Sequence, residues 1–247
     1  MTALLGIALL LLLVLATLAG GAIPLRHEQH TRTFLSFSAG ALVGLALIEL
    51  IPEGLEALKG DVQPKLLVVL GAFLATMLLD KSHVLHPHSH AMDTGCPQVE
   101  HEHPPLAMPG AVGLLLHSGV DGLAMATALA QSLATAMAVA VALAAHKAAD
   151  GITTVSLVLT HHHRRPQAIR LLAGNAAALV AGFALGRVLN LSEADLGGML
   201  LAMAGFFLYL GASDLIPSVT MPVCRKRDVF ATACGMAAIA VVAMLAH

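Results

Sequence analysis

Tryptophan is absent from the 247-residue sequence, tyrosine occurs once, and only 11% of the residues are charged. A soluble globular domain carries about 25% charged residues, so that class is excluded by a mean hydropathy of +0.83. Basic residues are also scarce: 13 Lys and Arg against 15 Asp and Glu give a formal net charge of −2. That leaves no basic surface for a phosphate backbone and excludes nucleic acid as a partner. The three cysteines, Cys96, Cys224 and Cys234, share no CxxC spacing, so neither a disulfide framework nor a thiolate zinc site is indicated. With aromatic belt residues nearly absent, the ends of any membrane segment have to be read from charge. What is abundant is histidine, with 14 residues, and methionine, with 11, which reads mostly as core filler.

A window of about 20 residues, enough to cross a hydrocarbon core of about 30 Å, finds eight apolar segments. They lie near residues 3–24, 34–57, 64–80, 110–130, 133–160, 167–189, 196–216 and 228–246. Met1-Thr2 offers no basic n-region, and the apolar run from Ala3 to Ala19 is too long for a secretory h-region, so the first segment reads as a membrane helix. The fold class expected is an all-α integral membrane protein with eight transmembrane helices in one domain over residues 1–247. One alternating set of connections holds nine Lys and Arg (Arg26, Arg32, Lys81, Arg164, Arg165, Arg170, Arg225, Lys226 and Arg227) and the other holds three, Lys59, Lys65 and Arg187. Cytoplasmic loops carry the excess, which places both termini outside the cytoplasm.

The longest connection, 81–109, then lies on the cytoplasmic side. It contains His83, His86, His88, His90, His101 and His103 among prolines and acids, a composition that cannot bury a core. It reads as a loop that captures or senses metal, or as a spacer. His161, His162 and His163 abut Arg164 and Arg165 and fit a solvated turn as well as a metal site.

Two short patterns recur inside the apolar segments. His117-Ser118-Gly119-Val120-Asp121-Gly122 in the fourth segment and His146-Lys147-Ala148-Ala149-Asp150-Gly151 in the fifth both read HxxxDG. Glu49-Leu50-Ile51-Pro52 and Asp214-Leu215-Ile216-Pro217 close the second and seventh segments, which run in opposite directions. Antiparallel copies of one pattern are what inverted-topology repeats leave behind, with a substrate site at the midplane where the repeats meet.

His117 and Asp121 are four residues apart, as are His146 and Asp150, so each pair shares one helix face. A single Asp at mid-span costs on the order of 2.5–3.5 kcal/mol on insertion scales. A divalent cation compensates two of them, and two imidazoles with two carboxylates form a donor set that Zn2+ accepts. Fe2+, Mn2+, Co2+ and Cd2+ suit the same donors. A lone intramembrane His also fits a hydrogen-bonded core residue; its repetition on an antiparallel neighbour points to a metal or proton path. Lys147 reads as a counter-ion to a neighbouring Asp, as an occupant of a second cation's place, or as a residue snorkelling to an interface. Glu49 and Glu53, and Asp214 with Asp80 at the other face, either gather cations at an entrance and exit or are solvated end residues.

On these motifs the sequence resembles the ZIP (Zrt/Irt-like) divalent metal transporters over nearly its whole length. The matches are HSGVDG at 117–122, HKAADG at 146–151, AGFFLYLGASDLIP at 204–217, SAGALVGLALIELIPE at 38–53, and the His-rich loop opening at Asp80-Lys81. The resemblance implies a 3+2+3 inverted-repeat organisation and a homodimer-prone carrier in the cell (inner or plasma) membrane. It implies that Zn2+, and often Fe2+ or another divalent ion, moves into the cytoplasm as substrate, with no cofactor. It further implies an elevator-like motion of helices 1, 4, 5 and 6 past helices 2, 3, 7 and 8. Relatives often have Asn, Pro and Glu where this chain has Ser118, Ala149 and two Asp; those with two adjacent metals have a carboxylate or amide where Lys147 stands, and an acid on helix six. The sixth segment here has none, so one ion site is expected, with Lys147 excluding a second cation by charge. The rival readings are an exporter, a metal sensor, and an intramembrane zinc hydrolase, the last opposed by the lack of HExxH.

Overall fold

Segments so uniformly apolar have no polar face to turn to water, and as helices they are buried or lipid-facing all round. The computed structural model describes residues 2–81, 107–160, 165–189, 191–221 and 225–246. Among the described residues there are helices and no strand, and eight stretches are long and apolar enough to cross a membrane. The first span is α1 (Thr2–Arg26); the second joins α2 (Thr31–Leu45), a π turn (Ala46–Leu50) and α3 (Ile51–Ala57). The next four are α4 (Val62–Lys81), α5 (Ala107–Gln131), α6 (Leu133–Thr160) and α7 (Arg165–Leu189). The seventh joins α8 (Glu193–Leu208), a π turn (Tyr209–Leu215) and α9 (Ile216–Thr220), and the eighth is α10 (Lys226–Ala246). The spans follow the segments read from sequence, the largest shift being the second, which starts at Glu28. Residues 107–109, expected in the His-rich loop, already belong to α5. The six loop histidines and His161 to His163 lie outside the described residues.

The two π turns coincide with the repeated acid-Leu-Ile-Pro pattern. A proline has no N–H to donate and its ring crowds the carbonyl four residues back, here that of Ile48 for Pro52 and of Ser213 for Pro217. The turn before each proline widens into the π pattern that such sites favour. Elsewhere the ends follow ordinary rules. Gly60, with φ at +101°, turns the chain from α3 into α4. Ser192 caps α8 by accepting from the Asp195 amide at 3.2 Å while its own amide donates to Asp195 Oδ2 at 3.0 Å.

Helices in lipid associate through close backbone approach at small residues. Gly151 rests on the backbone of Thr17 and Gly21, seating α6 on α1, and Gly122 rests on Leu179 and Phe183, seating α5 on α7. A Cβ at Gly40 or Gly235 would collide with the backbone of Thr232 or Phe37, so α2 and α10 lie equally close; Gly205 sets α8 against Val69 of α4 in the same way. Packing of α5 on α6 joins α1, α5, α6 and α7 into one group, and packing of α8 on α3 and the first π turn joins α2, α4, α8 and α10 into another. The groups meet mainly where α2 packs on α6 and α5 on α8.

Candidate metal site

The HxxxDG pattern puts His and Asp one turn apart on α5 and again on α6, and the two helices pack against each other. The glycine after each Asp is the residue that admits the neighbouring helix, so the motif fixes the ligands and the packing together. His117, Asp121, His146 and Asp150 are all buried, and one donor atom from each falls within 4.8 Å of the others. His117 Nε2 lies 3.3 Å from Asp121 Oδ2 and 3.5 Å from Asp150 Oδ2, and His146 Nε2 lies 3.6 Å from Asp121 Oδ2. Zinc–ligand lengths of about 2.0–2.2 Å give a tetrahedron with edges of about 3.3–3.6 Å, the same spacing. Both ring nitrogens of His117 and Nε2 of His146 are buried without a hydrogen-bond partner among the described residues. Buried polar atoms are normally paired, so the two Nε2 atoms that approach the aspartates without a hydrogen bond are suited to act as metal donors.

The surroundings orient these ligands. The edge of His117 meets the ring of Phe207 at 4.8 Å between centroids. His146 Nδ1 is 2.9 Å from Glu49 Oε1, the carboxylate–histidine arrangement that fixes which ring nitrogen is left to face an ion. Glu49 was read with Glu53 as an entrance acid or a solvated end residue; at 5% exposure and in contact with His146 it is not a solvated end residue. Sequence reasoning missed this contact, and missed Phe207. The available signal was that Glu49 lies inside the apolar run from Ser38 to Ile51.

Lys147 is completely buried. Its Nζ lies 2.5 Å from Asp121 Oδ2 and 2.6 Å from Asp150 Oδ2, and it donates to Ser118 Oγ at 2.9 Å. The snorkelling alternative is thereby removed. With neutral imidazoles, the carboxylates of Asp121, Asp150 and Glu49 against one ammonium leave two formal negative charges uncompensated.

A cavity of about 330 Å³ leads from Asp121, His146 and Glu49 past Glu53 and Thr135 to Glu193. It opens where α5 ends and α8 begins, and Gln131 Nε2 donates to Glu193 Oε1 at 2.9 Å across that rim. Leu42, Leu45, Leu114, Leu157 and Leu210 belong to a buried apolar cluster that also includes Leu50 and Leu200 of the cavity wall. Asp214 stands half-buried in the second π turn, apart from the four clustered donors, and Asp80 accepts a hydrogen bond from Tyr209 Oη at 2.6 Å.

A family model described as ZIP Zinc transporter matches residues 82–243, well over half of the chain. The chain belongs to the ZIP zinc transporter family. No match was found among curated proteins. ZIP membership makes divalent metal ions the transported class, and the eight apolar helices make this ZIP chain a multi-pass membrane protein. A transporter family also accords with a carrier rather than an enzyme.

Proposed function

We propose that this ZIP protein carries one divalent ion at a time, Zn2+ foremost, into the cytoplasm, holding it between His117, Asp121, His146 and Asp150. Fe2+, Mn2+, Co2+ and Cd2+ are chemically acceptable to the same donors. The observation that carries this reading is the convergence of two repeated His/Asp pairs in one buried site, with one donor atom from each residue within 4.8 Å of the others. A divalent ion would offset the carboxylates that Lys147 leaves unbalanced. A second would meet the Lys147 ammonium on the same carboxylate oxygens, which favours a mononuclear site.

Family resemblance favours uptake, and the side on which the cavity opens is compatible with it. Its mouth lies at the face whose connections hold only Lys59, Lys65 and Arg187, which the positive-inside rule assigns to the exterior, with both termini. Ions enter past Glu53 and Glu49 and leave past Asp214 toward the His-rich loop, where the histidines from His83 to His103 capture them. Alternating access comes from movement of α1, α5, α6 and α7 against α2, α4, α8 and α10, the division that the glycine contacts support. The paired π turns favour an inverted 3+2+3 repeat. We place the protein in the cell membrane as a homodimer. The test is Zn2+ uptake into proteoliposomes by the native chain and by Asp121→Ala/Asp150→Ala. Saturable uptake that the double variant lacks is expected; equal uptake by both would overturn the assignment of the site.

A further inference from the structure

We propose that Lys147 is a tethered substitute cation, holding the two site carboxylates when no metal is bound and so allowing the empty site to cross back. The inference rests on the carrier reading above and assigns the return half of its cycle. Lys147 is among the largest fully buried side chains of the described residues, and its ammonium sits on Asp121 Oδ2 and Asp150 Oδ2, the same oxygens that His117 and His146 approach. Ser118 Oγ, from the other motif helix, takes a further hydrogen bond and fixes the ammonium between α5 and α6.

A carrier that has released its ion must return a site containing two carboxylates. Left bare at that depth, they are strongly disfavoured, and their charge would hold the empty site in place. A soluble cation could fill the gap, but only by being transported itself. Lys147 is three residues from Asp150 on the same helix and moves with the site. It lowers the formal charge of the empty travelling unit, Asp121 with Asp150, from −2 to −1 without a second transported ion. Glu49 is on the π turn that follows α2, in the other group, and cannot be counted in that unit.

Two fluxes in proteoliposomes containing the full chain separate the halves of the cycle. Net Zn2+ uptake into metal-free vesicles requires the empty site to return; exchange of labelled external for unlabelled internal Zn2+ does not. In Lys147→Gln and Lys147→Met, net uptake is expected to fall at least about tenfold further than exchange does, the effect of a modest rise in one barrier, while exchange remains measurable. Persistent exchange also reports that the variants are folded. Unchanged net uptake, or net uptake and exchange reduced in the same proportion in both variants, would overturn the proposal. A native chain that performed neither flux would overturn the carrier reading itself, an outcome distinct from failure of the lysine's role.

Discussion

Two clusters of buried charge among the described residues are built differently. Near the start of α10, the fully buried Asp228 pairs with Arg32 Nε at 3.1 Å, and Arg32 Nη2 donates to the Val219 carbonyl at 2.8 Å. One acid meets one base, and the pair ties α2, α9 and α10 together. Between α5 and α6, three carboxylates face a single ammonium, and three ring nitrogens lack hydrogen-bond partners among the described residues. The first cluster offsets its acid with base and ties scaffold helices together, and buried side-chain atoms without hydrogen-bond partners occur in both clusters. The second holds more carboxylates than ammonium groups. The balance of charge, more than burial itself, distinguishes a structural pair from a binding site.

The largest effect that would sharpen this contrast is expected at the site carboxylates. Asp150→Asn should reduce Zn2+ uptake at least about a hundredfold, because it removes both a ligand and half of the charge offered to the ion. The solubilised protein should remain folded, since loss of an excess carboxylate relieves repulsion. Uptake near the native level in a Zn2+ titration of this variant would merge the two clusters into one structural class.

Glu49→Gln comes next, with metal affinity expected to weaken about 10–100-fold, the usual cost of losing a partner that orients a ligating histidine. A shift in half-saturation with little change in maximal uptake is the expected form. Acidification should act in the same direction and more gently. Imidazole and carboxylate bind metal only when deprotonated, so uptake should decline as the external medium is taken from neutral to mildly acidic. A flat profile would count against direct binding by His117 and His146.

The smallest effect on transport is expected from Asp228→Asn. Loss of a charge-assisted contact costs about 1.5–3 kcal/mol, so the melting temperature of the purified protein should fall while half-saturation for Zn2+ stays unchanged. A variant as stable as the native chain but altered in half-saturation would invert the roles of the two clusters.

Much of this architecture was legible before any coordinates. Eight apolar runs gave eight spans because a bilayer leaves little choice but helices of about 20 residues. The site was legible because spacing within one helix fixes which residues share a face, so His117 with Asp121 and His146 with Asp150 followed from i and i+4 alone. Spacing says nothing about how far one helix slides along another. That is why Glu49 was read as an end residue although it touches His146, and why Phe207 went unnoticed beside His117. The π turn added to the error, since an extra residue in one turn rotates everything after it by an amount that regular periodicity does not anticipate. The Lys147 contacts were within reach of the sequence reading as to partner but not as to geometry. That its ammonium shares both carboxylate oxygens with the histidines depends on the approach of α5 to α6.

The most direct test of a single-ion site is anomalous diffraction at the zinc edge from crystals of the native protein and of Asp121→Ala/Asp150→Ala. One peak per chain between α5 and α6, about 2.0–2.2 Å from His117, Asp121, His146 and Asp150 and missing in the double variant, is the result expected. Two peaks between those helices, or a peak that survives loss of both aspartates, would contradict it.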